Sequence, residues 1–166
     1  AVAIDGQMAG VIGVDAEGTA ITPYDSWLDT RCAPQIAQMA SRAGDRIVAL
    51  AGCAPSYNHG PKILWWREHH PELFARIAAF VQPGGYAAMR LCGLSGAEAF
   101  IDTSYLHFSG FADTRNGRWA DELCDAFDLS PEKLPRIAEP HEIVGRLTGD
   151  AARACGLSAG VPVVAG

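Results

Sequence analysis

The stretch AIDGQMAGVIGVDAEG (residues 3–18) carries an apolar segment into a polar break, Gly6-Gln7-Met8-Ala9-Gly10, and then resumes as a second apolar segment. Glycine lets the backbone turn sharply or lets another molecule approach closely, so this break is either a turn or a ligand contact. The second segment ends in Asp15-Ala16-Glu17-Gly18, which predicts a hairpin turn with residues 19–22 as the return strand. The pattern therefore predicts strands on both sides of the break and a hairpin after it.

The composition is that of an ordinary globular protein. Of the 166 residues, 49% are apolar and 19% are charged, enough for a single domain with its own core. The formal net charge of −6, without clusters of Lys and Arg, argues against nucleic acid and against an anionic membrane surface as partners. Because of this charge, we expect a small-molecule partner. No apolar run is long enough to cross a bilayer, so we also expect no membrane span.

Cysteine and histidine patterns exclude several classes of site. The five cysteines are odd in number and contain no CxxC pair, so the sequence predicts neither a disulfide framework nor a zinc site. None of the five histidines belongs to an HExxH motif, and the His69-His70 pair is interpreted as a solvated helix end. No Walker loop, GxGxxG or GxSxG motif is present.

The remaining pattern predicts a mixed α/β chain with a helical middle and no internal repeat. One helix is capped by Thr30, has Pro34 in its first turn and ends at Gly44, and a short second helix spans residues 45–51. Two further helices are predicted within residues 56–77, the later of them beginning at Pro71, and another ends at Gly93. Towards the C-terminus, the pattern predicts a helix over 119–127, a short one capped by Ser130, and one over 149–155 between Thr148 and Gly156. Strands are expected at residues 1–4, 78–81, 143–147 and 161–165, and strand with loop at 97–111.

Several polar groups and one indole fall at predicted strand ends. In open α/β sheets, ligands bind beyond the carboxyl ends of the strands. Carboxylate and amide groups bind hydroxyls while an aromatic face packs on C–H surface, so this set suits a polyhydroxylated ligand such as a sugar. Read by spacing alone, the same features also fit a structural turn and a packed loop aromatic. The set consists of Asp5, Gln7, Asp25, Trp27, Asp29 and Arg31.

The order of motifs resembles one family. The run Gly6-Gln7-Met8-Ala9-Gly10 is similar to a GQMHG-like sugar loop, and residues 27–32, WLDTRC, to a WxDxR-like segment that follows the hairpin. Residues 61–74 resemble a PKxLWxxxxxPExF run, residues 102–137 a stretch with an Asp-Xaa-Ser-like element and an LP pair, and residues 160–166 the strand before a catalytic aspartate. Across essentially the whole chain, the sequence resembles the FGGY carbohydrate kinases, and among them most the xylulokinases.

The resemblance implies a fold and a reaction. The fold would be α/β, part of an RNase H-like (actin/hexokinase-like ATPase) lobe with a helical insertion. The reaction would be transfer of the ATP γ-phosphoryl group to a sugar hydroxyl, most readily of a pentulose such as xylulose, with an aspartate as general base and Mg²⁺ neutralising charge. The implied setting is cytoplasmic, with sugar and ATP as small-molecule partners, no nucleic acid, no membrane, and a homodimer left open.

Carried over residue by residue, the resemblance implies that Met8 and Ala9 line the sugar, Gln7 and Asp29 shape the loop, and Trp27 packs on the substrate. Ala9 stands where the xylulokinase pattern has histidine, so the hydroxyl pattern preferred by this protein is expected to differ. Asp102, Thr103 and Tyr105 are weaker candidates for reaching the sugar. The interpretation favoured for Lys62, Trp65, Trp66 and Trp119 is packing rather than ligand binding.

The resemblance also implies that residues 1–166 are one segment of the kinase N-terminal domain. Both ends lie in apolar strand-like runs, and the family's phosphate loop and catalytic aspartate would precede and follow them, so ATP and Mg²⁺ would be bound mainly outside this segment, which alone would be inactive. Three alternatives remain open at this point: a kinase for a hexulose or polyol, a sugar-binding or regulatory module without kinase activity, and an actin-like ATPase lacking the loop over residues 27–31.

Overall fold

The strand that follows the polar break is the centre of the fold. A computed structural model describes residues 1–166, and in it strand β1 (Gly10–Val14) is buried along its whole length. It pairs antiparallel with β2 (Asp25–Ser26) on one edge and with β3 (Ala79–Val81) on the other, giving the order β2-β1-β3. Because strand side chains alternate between faces, Val11 joins one apolar cluster and Ile12 another.

Three two-stranded pairings surround this sheet. Strand β4 (Phe100–Asp102) runs parallel to β7 (Arg136–Ala138). Strands β5 (Ala112–Asp113) and β6 (Arg118–Trp119) are antiparallel, as are β8 (Ile143–Arg146) and β9 (Pro162–Val164). The N-terminal segment adds a single parallel bridge from Val2 to Val163 of β9.

Six α-helices connect and cover the strands. Proline stands at the start of three of them, where a missing amide costs nothing, and left-handed glycines end three. Short 3₁₀ helices span Gly96–Glu98, Thr103–Phe108 and Pro131–Lys133. The helices are α1 (Ala33–Ala51), α2 (His59–His69), α3 (Pro71–Arg76), α4 (Pro83–Cys92), α5 (Asp121–Ala126) and α6 (Gly149–Cys155). None of these helices combines the length and the apolar character needed to cross a membrane.

The core consists of several apolar clusters. The largest joins α1, α2 and α5 to β1 through side chains such as Met39 and Val11. A second joins α4 and α6 to β4, β8 and β9 around Phe100. A third packs Ile12 and Val14, on the other face of β1, against β3 and α4. Strand β1 is therefore fixed by core on both faces, and its Gly10 end presents the loop that precedes it.

The α/β fold class predicted from the sequence is confirmed, and so are several helix boundaries. Helix α3 begins at Pro71, α4 ends at Gly93, and the 3₁₀ helix at 131–133 is capped by Ser130. The Thr148 side chain accepts a hydrogen bond from the amide of Ala151 at 3.2 Å, as its predicted role as a cap requires.

The two predicted strands that precede and follow β1 in the sequence are shorter than expected. Residues 1–4 make only the bridge from Val2 to Val163 of β9. Residues 19–22 do return antiparallel to β1, through the bridge between Ala20 and Val14 and a hydrogen bond from the Ile21 amide to the Gly13 carbonyl at 2.9 Å. The edge of β1 beyond that bridge is taken instead by β2, whose short ladder begins three residues after Thr22. The hairpin turn itself is present, with the Gly18 amide donating to the Asp15 carbonyl at 3.0 Å.

Two helix boundaries are wrong, and one predicted break is confirmed. Cys32, not Thr30, precedes α1, and no side chain caps it. The break predicted at Gly44 lies one residue earlier: Ala43 leaves the helical region at φ −149°, and this kink divides α1 into the two predicted helices. Trp119 belongs to strand β6 rather than to a helix, because the Asn116-Gly117 turn closes a hairpin with β5 and α5 begins only at Asp121. Strand β7 was not predicted.

Candidate functional site

The glycine-rich loop before β1 is closed by Tyr24. Its single hydroxyl proton is shared between the Ala9 carbonyl oxygen, 2.9 Å away, and the Gln7 side-chain oxygen. Gly10 adopts φ +113°, and a side chain there would meet the Asp25 carbonyl at 2.5 Å. Only glycine therefore lets the chain pass this close to β2 and then enter β1.

The same loop is held from the protein interior by His59, the first residue of α2. The ring Nε2 lies 2.7 Å from the Met8 carbonyl oxygen, and the side chain is 1% exposed. Burial lowers the pKa of His59 from 6.5 to about 4, so the ring is neutral at physiological pH. A carbonyl only accepts, so the single ring proton lies on Nε2, and Nδ1 is buried without a partner.

The loop amides remain free of protein acceptors. No group of the chain accepts a hydrogen bond from the N–H of Met8 or of Ala9, although both carbonyls are engaged. Backbone donors usually find partners in proteins, and an accessible pair without one is suited to bind a ligand oxygen. The loop thus presents hydrogen-bond donors beside exposed side chains.

An ion pair between the buried Asp25 and the half-exposed Arg31 fixes the chain that leaves β2. Asp25 is buried, accepts from Arg31 Nη2 at 2.6 Å and accepts from the indole of Trp66. Burial raises the pKa of the Asp25 carboxyl more than the Trp66 and Arg31 contacts lower it. The Arg31 guanidinium also lies over the Trp65 ring, 4.1 Å from its centroid. These contacts tie the loop over residues 27–31 to α2.

Asp29 is part of the same network. Its carboxylate accepts from Arg31 Nε at 3.0 and 2.9 Å, and the Arg31 hydrogen bond lowers the Asp29 pKa. Lys62, itself buried, donates from Nζ to the Asp29 carbonyl at 2.8 Å. Asp29 is therefore committed to shaping its loop rather than free to accept from a ligand.

The outer surface of this region is apolar. Trp27 is 53% exposed, Leu28 69% and Met8 45%. Gly10 pairs with Ser26 in the β1–β2 ladder, so Ala9 and Trp27 leave the ladder side by side. An exposed indole beside two free amides can pack on the C–H face of a sugar while the amides bind its hydroxyls.

The predicted site residues fall into two groups. The structure brings Gln7, Met8, Ala9, Trp27 and Asp29 to the shared end of β1 and β2, as described above. Asp5 is exposed and belongs to another neighbourhood, near Tyr105: burial raises the Tyr105 pKa, and the charges of Asp102 and Asp5 raise it further.

Asp102 has a structural task within that second neighbourhood. It caps the 3₁₀ helix that follows, accepting from the Ser104 amide at 2.6 Å and hydroxyl at 2.9 Å. Its carboxylate also lies beside Gly166, where an added Cβ would be 2.7 Å from Oδ2. Thr103 and Tyr105 lie within this capped segment, and a hydrogen bond from the Gly6 backbone brings Tyr105 next to the first residue of the glycine-bounded loop.

Sequence reasoning missed two residues of the site, Tyr24 and His59. Neither belongs to a motif: Tyr24 lies outside the segments that resemble the family, and His59 carries no metal-ligand spacing. Their contacts with the loop span 15 and 51 residues of sequence, so no local pattern could reveal them. Trp66 and Trp119 are packing residues as interpreted, since each donates its indole N–H to the protein: Trp66 to Asp25 and Trp119 to the Pro135 carbonyl at 2.9 Å.

The chain offers no evident place for a nucleotide-bound metal. No group of three His, Cys, Asp or Glu side chains is arranged to hold a metal ion. The carboxylates nearest the candidate site, Asp25 and Asp29, are both paired with Arg31. The residues present suit recognition of a sugar and do not fit Mg²⁺, so we derive no chemical step through ATP or Mg²⁺ from this chain.

The chain is similar to known proteins over its whole length. Residues 1–166 match the family model described as the FGGY family of carbohydrate kinases, N-terminal domain. The chain is 34% identical over its full length to a xylulose kinase of Escherichia coli, of which it covers 33%, and 29% identical over 99% of its length to one of Bacillus subtilis, of which it covers 32%. It thus spans about a third of the length of these curated relatives.

Solved structures of related proteins also superpose on this chain. A structure described as a xyloylose kinase from Brucella ovis superposes with a TM-score of 0.82 at 30% identity, over 97% of this chain and 32% of that one. The xylulose kinase of Rhodospirillum rubrum superposes with a TM-score of 0.83 at 26% identity, over 96% of this chain and 32% of that one. The chain therefore belongs to the FGGY family of carbohydrate kinases and has the actin/hexokinase-like ATPase fold of their N-terminal domain.

Proposed function

We propose that this chain is the sugar-binding part of an ATP-dependent carbohydrate kinase that phosphorylates a pentulose such as xylulose. Its family and the xylulose kinases among its relatives support that class of reaction. Because the chain spans about a third of those relatives, the complete reaction belongs to the full-length protein. The nucleotide and the Mg²⁺ ion would be held mainly by parts of that protein outside residues 1–166.

One observation carries the proposal: the loop that ends at Gly10 has two amides without protein acceptors beside an exposed indole. In this assignment Met8 and Ala9 line the sugar and Trp27 packs against it. Gln7 and Asp29 shape the loop through Tyr24 and Arg31. The chain's own task is to bind and orient the sugar, since orientation of the acceptor hydroxyl is a large part of phosphoryl transfer. The transferred group would come from ATP.

Ala9 bears on which sugar is preferred. Its methyl side chain has no hydrogen-bonding atom, whereas the related pattern carries histidine at this place. A site that lacks a donor for one hydroxyl discriminates poorly in favour of sugars that bear it. We propose that this protein accepts a pentulose with a hydroxyl pattern different from that selected by the histidine.

The test is ADP release by the full-length protein with Mg-ATP and a panel of ketopentoses, ketohexoses and polyols. Strong stimulation by one pentulose is the expected result. Stimulation only by a hexulose or polyol would correct the substrate, and sugar binding without any ADP release would favour a binding or regulatory module instead.

The Ala9→His variant sharpens the substrate assignment. It is expected to change the ratio of kcat/KM between two pentuloses that differ at one hydroxyl by about tenfold, because one donor to a hydroxyl is gained. An Ala154→His variant, at an exposed position of helix α6, adds the same side chain on an element that packs on α4, β8 and β9; it serves as the control and should leave the ratio unchanged. An unchanged ratio in Ala9→His would contradict the placement of Ala9 against the sugar.

A further inference from the structure

His59 controls one particular peptide of the loop. Its Nε2 donates to the Met8 carbonyl at 2.7 Å from within the core, and the carbonyl is thereby held toward the interior. In a planar trans peptide the carbonyl of one residue and the amide of the next point in opposite directions. Holding the Met8 carbonyl inward therefore turns the Ala9 N–H outward, away from His59.

The outward side is the side on which a ligand would lie. Met8 and Trp27 expose their side chains there, and the Ala9 amide has no acceptor in the chain. Tyr24 holds the next carbonyl, that of Ala9, at 2.9 Å, so the position of the following peptide is also constrained. The Met8–Ala9 peptide is thus oriented by side chains from two distant segments.

The environment of His59 favours this role over simple packing. The ring is buried with Nδ1 unpartnered, an arrangement that a purely structural position would relieve with an apolar side chain. The neighbouring Gly60 packs so closely that an added Cβ would lie 2.6 Å from the Ser109 carbonyl, which fixes the start of α2. The donor at Nε2 is therefore presented from a rigid base.

We propose that His59 is a positioning and specificity-determining residue, which orients the Met8–Ala9 peptide so that the Ala9 amide donates to a hydroxyl of the bound sugar. This rests on the proposed function, since it names how the same site recognises its substrate. Without the Nε2 donor, the peptide is free to rotate and to present a carbonyl where the sugar requires a donor. The sugar would then bind more weakly while the nucleotide side of the enzyme stays unaffected.

The test compares His59→Leu with His59→Gln in the full-length protein. Leucine removes the donor, whereas the glutamine amide places an N–H near the position of Nε2. We expect His59→Leu to raise the sugar KM about tenfold with kcat and the KM for ATP within about twofold, and His59→Gln to restore most of the sugar affinity. Trp119→Phe is the matched control, because it removes another ring N–H to carbonyl bond, at Pro135, away from the loop.

The outcomes separate this inference from the proposed function. If the unaltered protein neither binds nor phosphorylates any sugar, both fail together. If it is an active sugar kinase and His59→Leu keeps its sugar KM, only the positioning role is overturned. Equal impairment in His59→Leu, His59→Gln and Trp119→Phe, with parallel losses of thermal stability, would also overturn it, since that pattern reports a structural role alone.

Discussion

The two ends of strand β1 carry glycine-bounded polar segments that are held in different ways. At the Val14 end, the hairpin closes on itself: the Thr19 amide donates to the Asp15 carboxylate at 2.8 Å, and the Asp15 amide donates to the Thr19 carbonyl at 2.9 Å. At the Gly10 end, the loop carbonyls are engaged by Tyr24 and His59, which lie far along the sequence. The closing bonds of the first segment are local, with one further bond from the Gly96 amide to the Ala16 carbonyl at 2.9 Å, whereas both engaged carbonyls of the second segment depend on side chains from distant parts of the chain.

The difference distinguishes a turn from a binding loop. A turn is complete when its own polar groups are paired, so nearby residues suffice to specify it. A loop that binds a ligand must leave donors unpaired in the free protein, and other parts of the fold must then hold it in place. The tertiary contacts of Met8 and Ala9 are what a binding loop requires.

The largest expected effect on stability comes from replacing either glycine, Gly10 or Gly18, at the two ends of β1 with alanine. Gly10→Ala would place a Cβ 2.5 Å from the Asp25 carbonyl at φ +113°, and Gly18→Ala would place one against the Leu94 carbonyl at φ +78°. Each is expected to lower the free energy of unfolding by about 3 kcal/mol in urea titrations of the full-length protein. Only Gly10→Ala should also raise the sugar KM, because only it displaces the binding loop.

Equal increases in the sugar KM for the two variants would remove the distinction between the ends. If Gly10→Ala proves too unstable to assay, binding of the sugar at low temperature, measured by titration calorimetry, supplies the same comparison.

Lowering the pH should reduce the free energy of unfolding through His59, which holds the loop at the Gly10 end of β1. Its pKa is lowered by burial to about 4, so between pH 6.5 and 4 the unfolded chain takes up a proton that the folded protein does not. The free energy of unfolding therefore falls as the pH is lowered through this window and levels off below the folded pKa. Lowering the pH from 7.5 to 5 should destabilise the unaltered protein by about 2 kcal/mol more than His59→Gln.

Nearby positive charges act in the same direction as burial. His107 and Lys62 lower the His59 pKa further, and the Met8 carbonyl opposes them. Parallel stability curves for the two proteins from pH 7.5 to 5 would show that His59 is not held neutral and would weaken the assignment of its proton to Nε2.

Removal of the Tyr24 hydroxyl should have a smaller effect. Tyr24→Phe loses the donor to the Ala9 carbonyl and to Gln7, which is expected to lower the free energy of unfolding by about 1 kcal/mol and raise the sugar KM about threefold. Asp15→Ala is the matched variant at the hairpin end, where it removes the bond to the Thr19 amide at a similar cost in stability. An unchanged sugar KM in Tyr24→Phe, or the same rise in Asp15→Ala, would contradict the account.

Local chemistry made much of the fold predictable. Asp15-to-Gly18 turn chemistry, the Thr148 cap and the proline at Pro71 each act within a few residues and were found where the sequence places them. The Asn116-Gly117 hairpin carries an equally local signal, and the Trp119 helix prediction is wrong because that signal takes Trp119 into a strand. The kink at Ala43 agrees with the break that Gly44 predicts, one residue earlier than expected.

The candidate site was predictable only in part. Motif resemblance pointed to Gln7, Met8, Ala9, Trp27 and Asp29, and the structure gathers these residues at one end of β1. The contacts that organise them lie outside any local pattern, because Lys62 reaches the Asp29 carbonyl across 33 residues and His59 reaches the Met8 carbonyl across 51. Such contacts depend on how α2 packs beside β1, which is a property of the tertiary fold.

Amide hydrogen exchange of the full-length protein, with and without the sugar that stimulates ADP release, tests the central claim most directly. If the loop before β1 binds the sugar through its free amides, saturating sugar will slow exchange in the peptide that contains Met8 and Ala9 and leave the hairpin at residues 15–19 unchanged. Unchanged exchange at Met8 and Ala9 under saturating sugar, or equal slowing at both ends of β1, would contradict it.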